Sequence, residues 1–123
     1  MLLSLDFSSD TPIYQQIRNQ IIIAISDGKL LPCDQLPTIR NLADQSGINM
    51  MTVSKAYQLL KQEGYITADR RNGAKVAPRN ASSNEIPRVL HNELQLLISQ
   101  FHLQGVKEDQ FLSLCKELYN KEG

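Results

Sequence analysis

The chain has 123 residues, 41% hydrophobic and 21% charged, with thirteen basic side chains balanced by thirteen acidic ones. That length holds one small domain plus an appendage, and the composition suits a soluble globular protein. No apolar run approaches the ~20 residues of a membrane span; the start MLLSLDFSSD lacks a signal-peptide pattern, and Cys33 and Cys115 stand far apart, so a cytoplasmic protein with two reduced thiols is expected.

Residues 1–10 read as an extended arm. Thr11-Pro12 is a strong helix start, an N-cap followed by proline at the first helical position. Ile13, Ile17, Ile21 and Ile25 recur every four residues, which predicts an amphipathic helix over 12–27 ended by Asp27-Gly28. Ile21, Ile22 and Ile23 broaden the face to be buried. The polar face carries no basic stripe, so core packing is favoured over a membrane surface. Residues 28–37, GKLLPCDQLP, form a turn-rich connector in which Leu36 is expected to add a short strand at a sheet edge.

Residues 36–64 organise the rest. Pro37 blocks helix before it, Thr38 is a ready N-cap, and Ile39, Leu42 and Ala43 give a short helix to about Gln45. Ser46-Gly47 break it; Asn49 caps a second helix whose Val53, Ala56, Tyr57 and Leu60 share one face, with Gly64 as its stop and Met51 expected to turn toward the core. Two helices joined by a glycine-containing turn are a helix-turn-helix signature. Asn49, Met50, Thr52, Ser54 and Lys55 crowd the first turn and a half of the second helix, the end that such a motif inserts into the DNA major groove. The plainer reading is a solvated helix start. Arg40 stands polar on the first helix, and its plainer reading is an ion pair with Asp44 one turn on.

Tyr65, Ile66, Thr67 and Val76 favour strand, and Asn72-Gly73 predicts a tight type I′ hairpin turn with Arg70 and Arg71 beside its tip. Such a wing would reach phosphates or the minor groove; the plainer account is an ordinary solvated hairpin. PRNASSN, residues 78–84, is breaker-rich and reads as a linker, and Ser82-Ser83 as its polarity. Beyond it Leu90, Leu94, Leu97, Ile98 and Phe101 line one helical stripe over about 87–104, and Phe111, Leu114, Cys115 and Leu118 a second over about 107–120, with Leu112 and Tyr119 alongside. Two isolated helices of this size cannot hide such stripes, so a partner surface is expected, most economically a second copy of the chain. Residues 1–80 carry nine basic against seven acidic side chains, and residues 81–123 four against six, so the positive charge sits on the helix-turn-helix side.

The string LPTxRxLA, followed by GIxxxTVxxAYxxLxxEGYI, resembles the winged helix-turn-helix domain of GntR-type transcription regulators over roughly residues 10–78. The run TVSKAY and the short C-terminal tail are similar to the YtrA-like branch. The resemblance implies a DNA-contacting arginine at Arg40 and a repressor whose targets often include transporter genes. Cys33 departs from a Pro-Gly-Asp turn common in the family, and Met50 and Ser54 stand where many members carry arginine or lysine, so a family operator sequence does not transfer.

The expectation is therefore a mainly α chain with a small β-hairpin: a DNA-binding domain over 10–78, a linker over 79–86 and a helical dimerisation region over 87–121. DNA contacts are assigned to Thr38, Arg40, Asn49, Met50, Thr52, Ser54, Lys55, Arg70, Arg71, Asn72 and Gly73. Dimerisation is assigned to Leu90, Leu94, Leu97, Phe101, Phe111, Leu114 and Leu118. The partners are a two-fold double-stranded DNA operator and a second chain, with no membrane and an effector left open. The competing function is a winged-helix module that binds only protein. No catalytic, nucleotide or cofactor motif occurs, and no metal site is assigned: surface histidines are the default reading of His91 and His102, with a site between subunits drawing on His91, Glu93, His102 and Cys115 left open. His91 and His102 lie eleven residues apart, about three helical turns, so one helix cannot bring both to one ion.

Overall fold

Isoleucines spaced one helical turn apart bury a face of α1 (Ile13–Ser26), with Ile17 and Ile21 fully enclosed. The computed structural model describes residues 3–79 and 84–121; Asn80, Ser82 and Ser83 of the expected linker lie outside them. The helix begins one residue later than expected, with Pro12 as its N-cap instead of Thr11. The isoleucine triplet divides: Ile21 is buried, Ile22 half-buried and Ile23 exposed, because consecutive residues on a helix point about 100° apart. The preceding arm packs Leu3 and Leu5 on the core. Two glutamines of α1 clamp it by imitating a neighbouring strand. Gln20 accepts the Ser4 N–H (2.9 Å) and donates to the Ser4 carbonyl (2.6 Å), while Gln16 does the same at Asp6.

Helix α2 (Ile39–Ser46) starts where Thr38 Oγ1 accepts the Asn41 N–H, and ends at Gly47, whose φ of 66° closes a left-handed cap. Asn49 Oδ1 accepts the Met51 N–H at 2.6 Å and opens α3 (Met50–Gln62). Val53, Ala56, Tyr57 and Leu60 form its buried face. Met51 does not follow them. It is 79% exposed, because it falls on the face opposite the Val53–Leu60 stripe.

Strands β1 (Ile66–Asp69) and β2 (Gly73–Val76) pair antiparallel, Ile66 opposite Val76 and Asp69 opposite Gly73. The connector adds a third, minimal partner along β2: Gln35 bridges Lys75, and the Leu36 N–H donates to the Ala74 carbonyl. The turn Arg70–Asn72 is not the expected type I′. Only Gly73 has positive φ there (69°), and the Asp69 carboxylate accepts both the Asn72 N–H and its side-chain amide, so a three-residue loop closes the hairpin. Three helices followed by this hairpin make a winged helix-turn-helix. Its core is Ile17, Ile21, Leu36, Leu42, Ala43, Val53, Ala56, Tyr57, Leu60, Ile66 and Val76.

The described residues divide into two compact units, within Met1–Asn80 and within Ala81–Gly123. The second holds α4 (Arg88–Leu103) and α5 (Glu108–Asn120). Gln110 reaches back to the Lys107 N–H at the start of α5, and Phe101 meets Phe111 edge-on with centroids 5.2 Å apart. Neither helix contains a fully buried residue. Among the described residues no helix is long and apolar enough to cross a membrane.

Candidate nucleic-acid interface

Three elements converge on one face because the core fixes each from behind. Tyr57, buried on α3, donates its hydroxyl to the Pro37 carbonyl at 2.8 Å and so ties the entry of α2 to α3. Burial pushes its phenol pKa up to about 12. Arg18 of α1 grips Glu63, just past the end of α3, through two bonds of 2.9 and 2.7 Å, which holds the far end of the same helix. Gln35 donates to the Asn72 carbonyl at 2.9 Å and steadies the wing turn. A Cβ added at Gly73 would come within 2.9 Å of that Gln35 amide and displace this flexible side-chain end, while the φ of 69° is what favours glycine there.

The result is a groove of about 370 Å³ whose lining includes Thr38 from the start of α2, Ser54, Gln58 and Lys61 from α3, and Asp69 and Gly73 from the wing. Thr38 Oγ1 is occupied as a cap acceptor, which leaves its proton to donate outward. On the flank of α3 a second groove of about 540 Å³ is lined by Tyr14, Met51, Thr52, Ser54, Lys55 and Gln58. Asn49 spends its amide oxygen on capping, so its outward chemistry is that of an NH₂ donor. Met50 is 44% exposed beside it.

Arg40 is exposed and makes no ion pair with Asp44; the salt bridge resolved among the described residues is Arg18–Glu63. Arg70, Arg71 and Asn72 are exposed on the wing turn. The Asn72 N–H and side-chain amide, with a smaller contribution from Lys75, hold the Asp69 carboxyl below its usual range. The two grooves therefore offer ammonium, hydroxyl and amide donors, from Lys55, Lys61, Thr38, Thr52, Ser54 and Gln58, which is chemistry for phosphates and base edges, whereas Arg40, Arg70 and Arg71 are exposed but line neither groove. Among the described residues no three His, Cys, Asp or Glu side chains gather as a metal site.

Sequence reasoning missed Tyr14, Gln35, Gln58 and Lys61. Gln58 and Lys61 were legible as positions one and two turns beyond Ser54 on the same helix face. Tyr14 and Gln35 carry no local signal, since their partners are distant in the chain.

A family model described as bacterial regulatory proteins, gntR family, matches residues 13–76. The chain is 33% identical over 120 residues, 95% of its length and 92% of the relative's, to the HTH-type transcriptional repressor YtrA of Bacillus subtilis. Among solved structures it is similar to a transcriptional antiterminator from Listeria monocytogenes, at TM-score 0.86 and 26% identity over 99% of this chain and 92% of that one. It is also similar to the DNA-binding domain of AraR in complex with its operator ORX1, at TM-score 0.56 and 30% identity over 61% of this chain and 96% of that one.

Proposed function

The chain belongs to the gntR family of bacterial regulatory proteins, and from that membership we propose that it is a sequence-specific DNA-binding repressor acting as a homodimer on a two-fold operator. The N-terminal end of α3 enters the major groove with Asn49, Met50, Thr52, Ser54 and Lys55. Thr38 and Arg40 grip the backbone beside it. Arg70, Arg71, Asn72 and Gly73 carry the wing onto the flanking phosphates or into the minor groove. The observation that carries this reading is the single groove lined by Thr38, Ser54 and Gly73, one residue from each of the three elements. The repressor sense rests on the similarity to YtrA, and the DNA partner on the operator-bound AraR domain.

The test is equilibrium binding to fragments selected from the source genome, measured across a salt series. Each phosphate contact contributes about 0.9 to the slope of log affinity against log salt. Arg40→Ala should weaken binding to operator and random duplex alike and make the slope shallower by about 1. Operator affinity that does not respond to salt would leave the chain as a protein-binding winged helix instead.

A further inference from the structure

We propose that Tyr14, in the first turn of α1 and outside the helix-turn-helix, is a positioning residue for DNA binding that presents the Lys55 ammonium to a backbone phosphate. The inference rests on the DNA-binding reading above and extends the site to α1.

Lys55 Nζ lies 4.1 Å from the centroid of the Tyr14 ring, over its face. Tyr14 is half-buried and packed against the core, so the ring is a fixed platform, whereas Lys55 is exposed and forms no carboxylate ion pair among the described residues. Both side chains line the groove on the flank of α3 together with Thr52 and Ser54. A free lysine on a helix surface samples many rotamers and loses that freedom when it grips a phosphate. A ring that attracts the ammonium removes part of the loss beforehand. An ammonium has three donors and the ring faces one side of it, so the other side stays open to a phosphate oxygen.

The experiment is a double-mutant cycle on operator affinity in the full chain. Tyr14→Leu, which keeps an apolar side chain but removes the π face, should weaken binding about two- to fivefold. Tyr14→Phe, which keeps the ring, should bind like the parent. On a Lys55→Met background Tyr14→Leu should have no further effect. In the DNA-free protein the Lys55 ε-methylene proton resonances should be shifted upfield by the ring with Tyr14 or Phe present, and revert in Tyr14→Leu. Tyr14→Met serves if the leucine variant does not fold. An equal loss on both backgrounds shows a merely structural Tyr14 and overturns the proposal, as does tighter binding by Tyr14→Leu, which would mean that the ring withholds the ammonium. A parent chain without salt-dependent DNA affinity overturns the DNA-binding reading itself and the proposal with it.

Discussion

Cys33 sits at φ 68°, and among the described residues no other non-glycine side chain has positive φ. It occupies the third position of the turn Leu31–Asp34, where Pro32 fixes the second position and the Asp34 N–H closes onto the Leu31 carbonyl at 3.0 Å. The Asp34 carboxylate accepts the Leu31 N–H in return (2.8 Å), and the Cys33 N–H is tied to the Val76 carbonyl, so the strained residue cannot relax without breaking the contact with β2. A left-handed residue with a Cβ costs roughly 1–2 kcal/mol, and glycine returns part of that as unfolded-chain entropy. Cys33→Gly should therefore stabilise the protein by about 0.5–1 kcal/mol, read as a higher denaturant midpoint at unchanged slope, whereas Cys33→Ala should not. Tyr57 makes the opposite kind of contribution. Tyr57→Phe leaves the Pro37 carbonyl without its donor and should cost about 0.5–1.5 kcal/mol. The folded-state pKa of this phenol is raised from 10.0 to about 12, so its stabilisation is complete below pH 10 and declines as pH climbs toward 12. Denaturation curves of the parent should show that alkaline loss, and those of Tyr57→Phe should lack it.

The wing shows how an element acquires a shape that its own sequence does not state. Asn72-Gly73 correctly signals a hairpin, because glycine at positive φ is local information. The Asp69 carboxylate that takes both Asn72 donors is also local, three residues away, but Gln35, which takes the Asn72 carbonyl, lies 37 residues away and was not legible. The same division runs through the helices. Thr38, Gly47 and Asn49 announce the ends of α2 and α3 since caps are contacts within one turn, and the Val53–Leu60 stripe announces the buried face. The exposure of Met51 follows from the same periodicity, since it lies opposite that stripe, whereas the seat of Lys55 on Tyr14 depends on where α1 lies, which periodicity does not encode. A consequence at this scale concerns acid. Asp69 is held below its usual range chiefly by the Asn72 N–H, so its contribution is present above the ordinary carboxylate pKa and is lost as pH falls through the lowered one. Amide hydrogen exchange at Asn72 should accelerate relative to β1 below about pH 4, the ordinary carboxylate range. Asp69→Ala should show the fast rate at neutral pH too, with the core amides of α3 unaffected. An exchange rate at Asn72 that ignores both changes would mean that the carboxylate does not hold the turn.

At the scale of the whole molecule the two units differ in kind. Among the described residues the winged helix encloses eleven hydrophobic side chains, whereas α4 and α5 fully bury none. Leu90, Leu94 and Leu97 remain 47–49% exposed and Leu118 58% exposed, while Phe101, Phe111 and Leu114 are half-buried. Full burial of a leucine or phenylalanine is worth about 1.5–3 kcal/mol, so covering even part of this surface on each of two chains can exceed the cost of association. A dimer formed there would place two recognition helices on one operator, and the second would bind at the high effective concentration set by the first. Leu97→Asp puts a charge in the middle of the α4 stripe. It should yield monomers by light scattering and lower operator affinity far more than affinity for random duplex, because non-specific binding does not need two half-sites. A chain ended at Asn80 keeps the entire enclosed core and should fold as a winged helix, also monomeric. If that shortened chain still scatters as a dimer and binds a two-fold operator at full strength, the dimer contact belongs to the winged helix and the α4–α5 stripes have another partner.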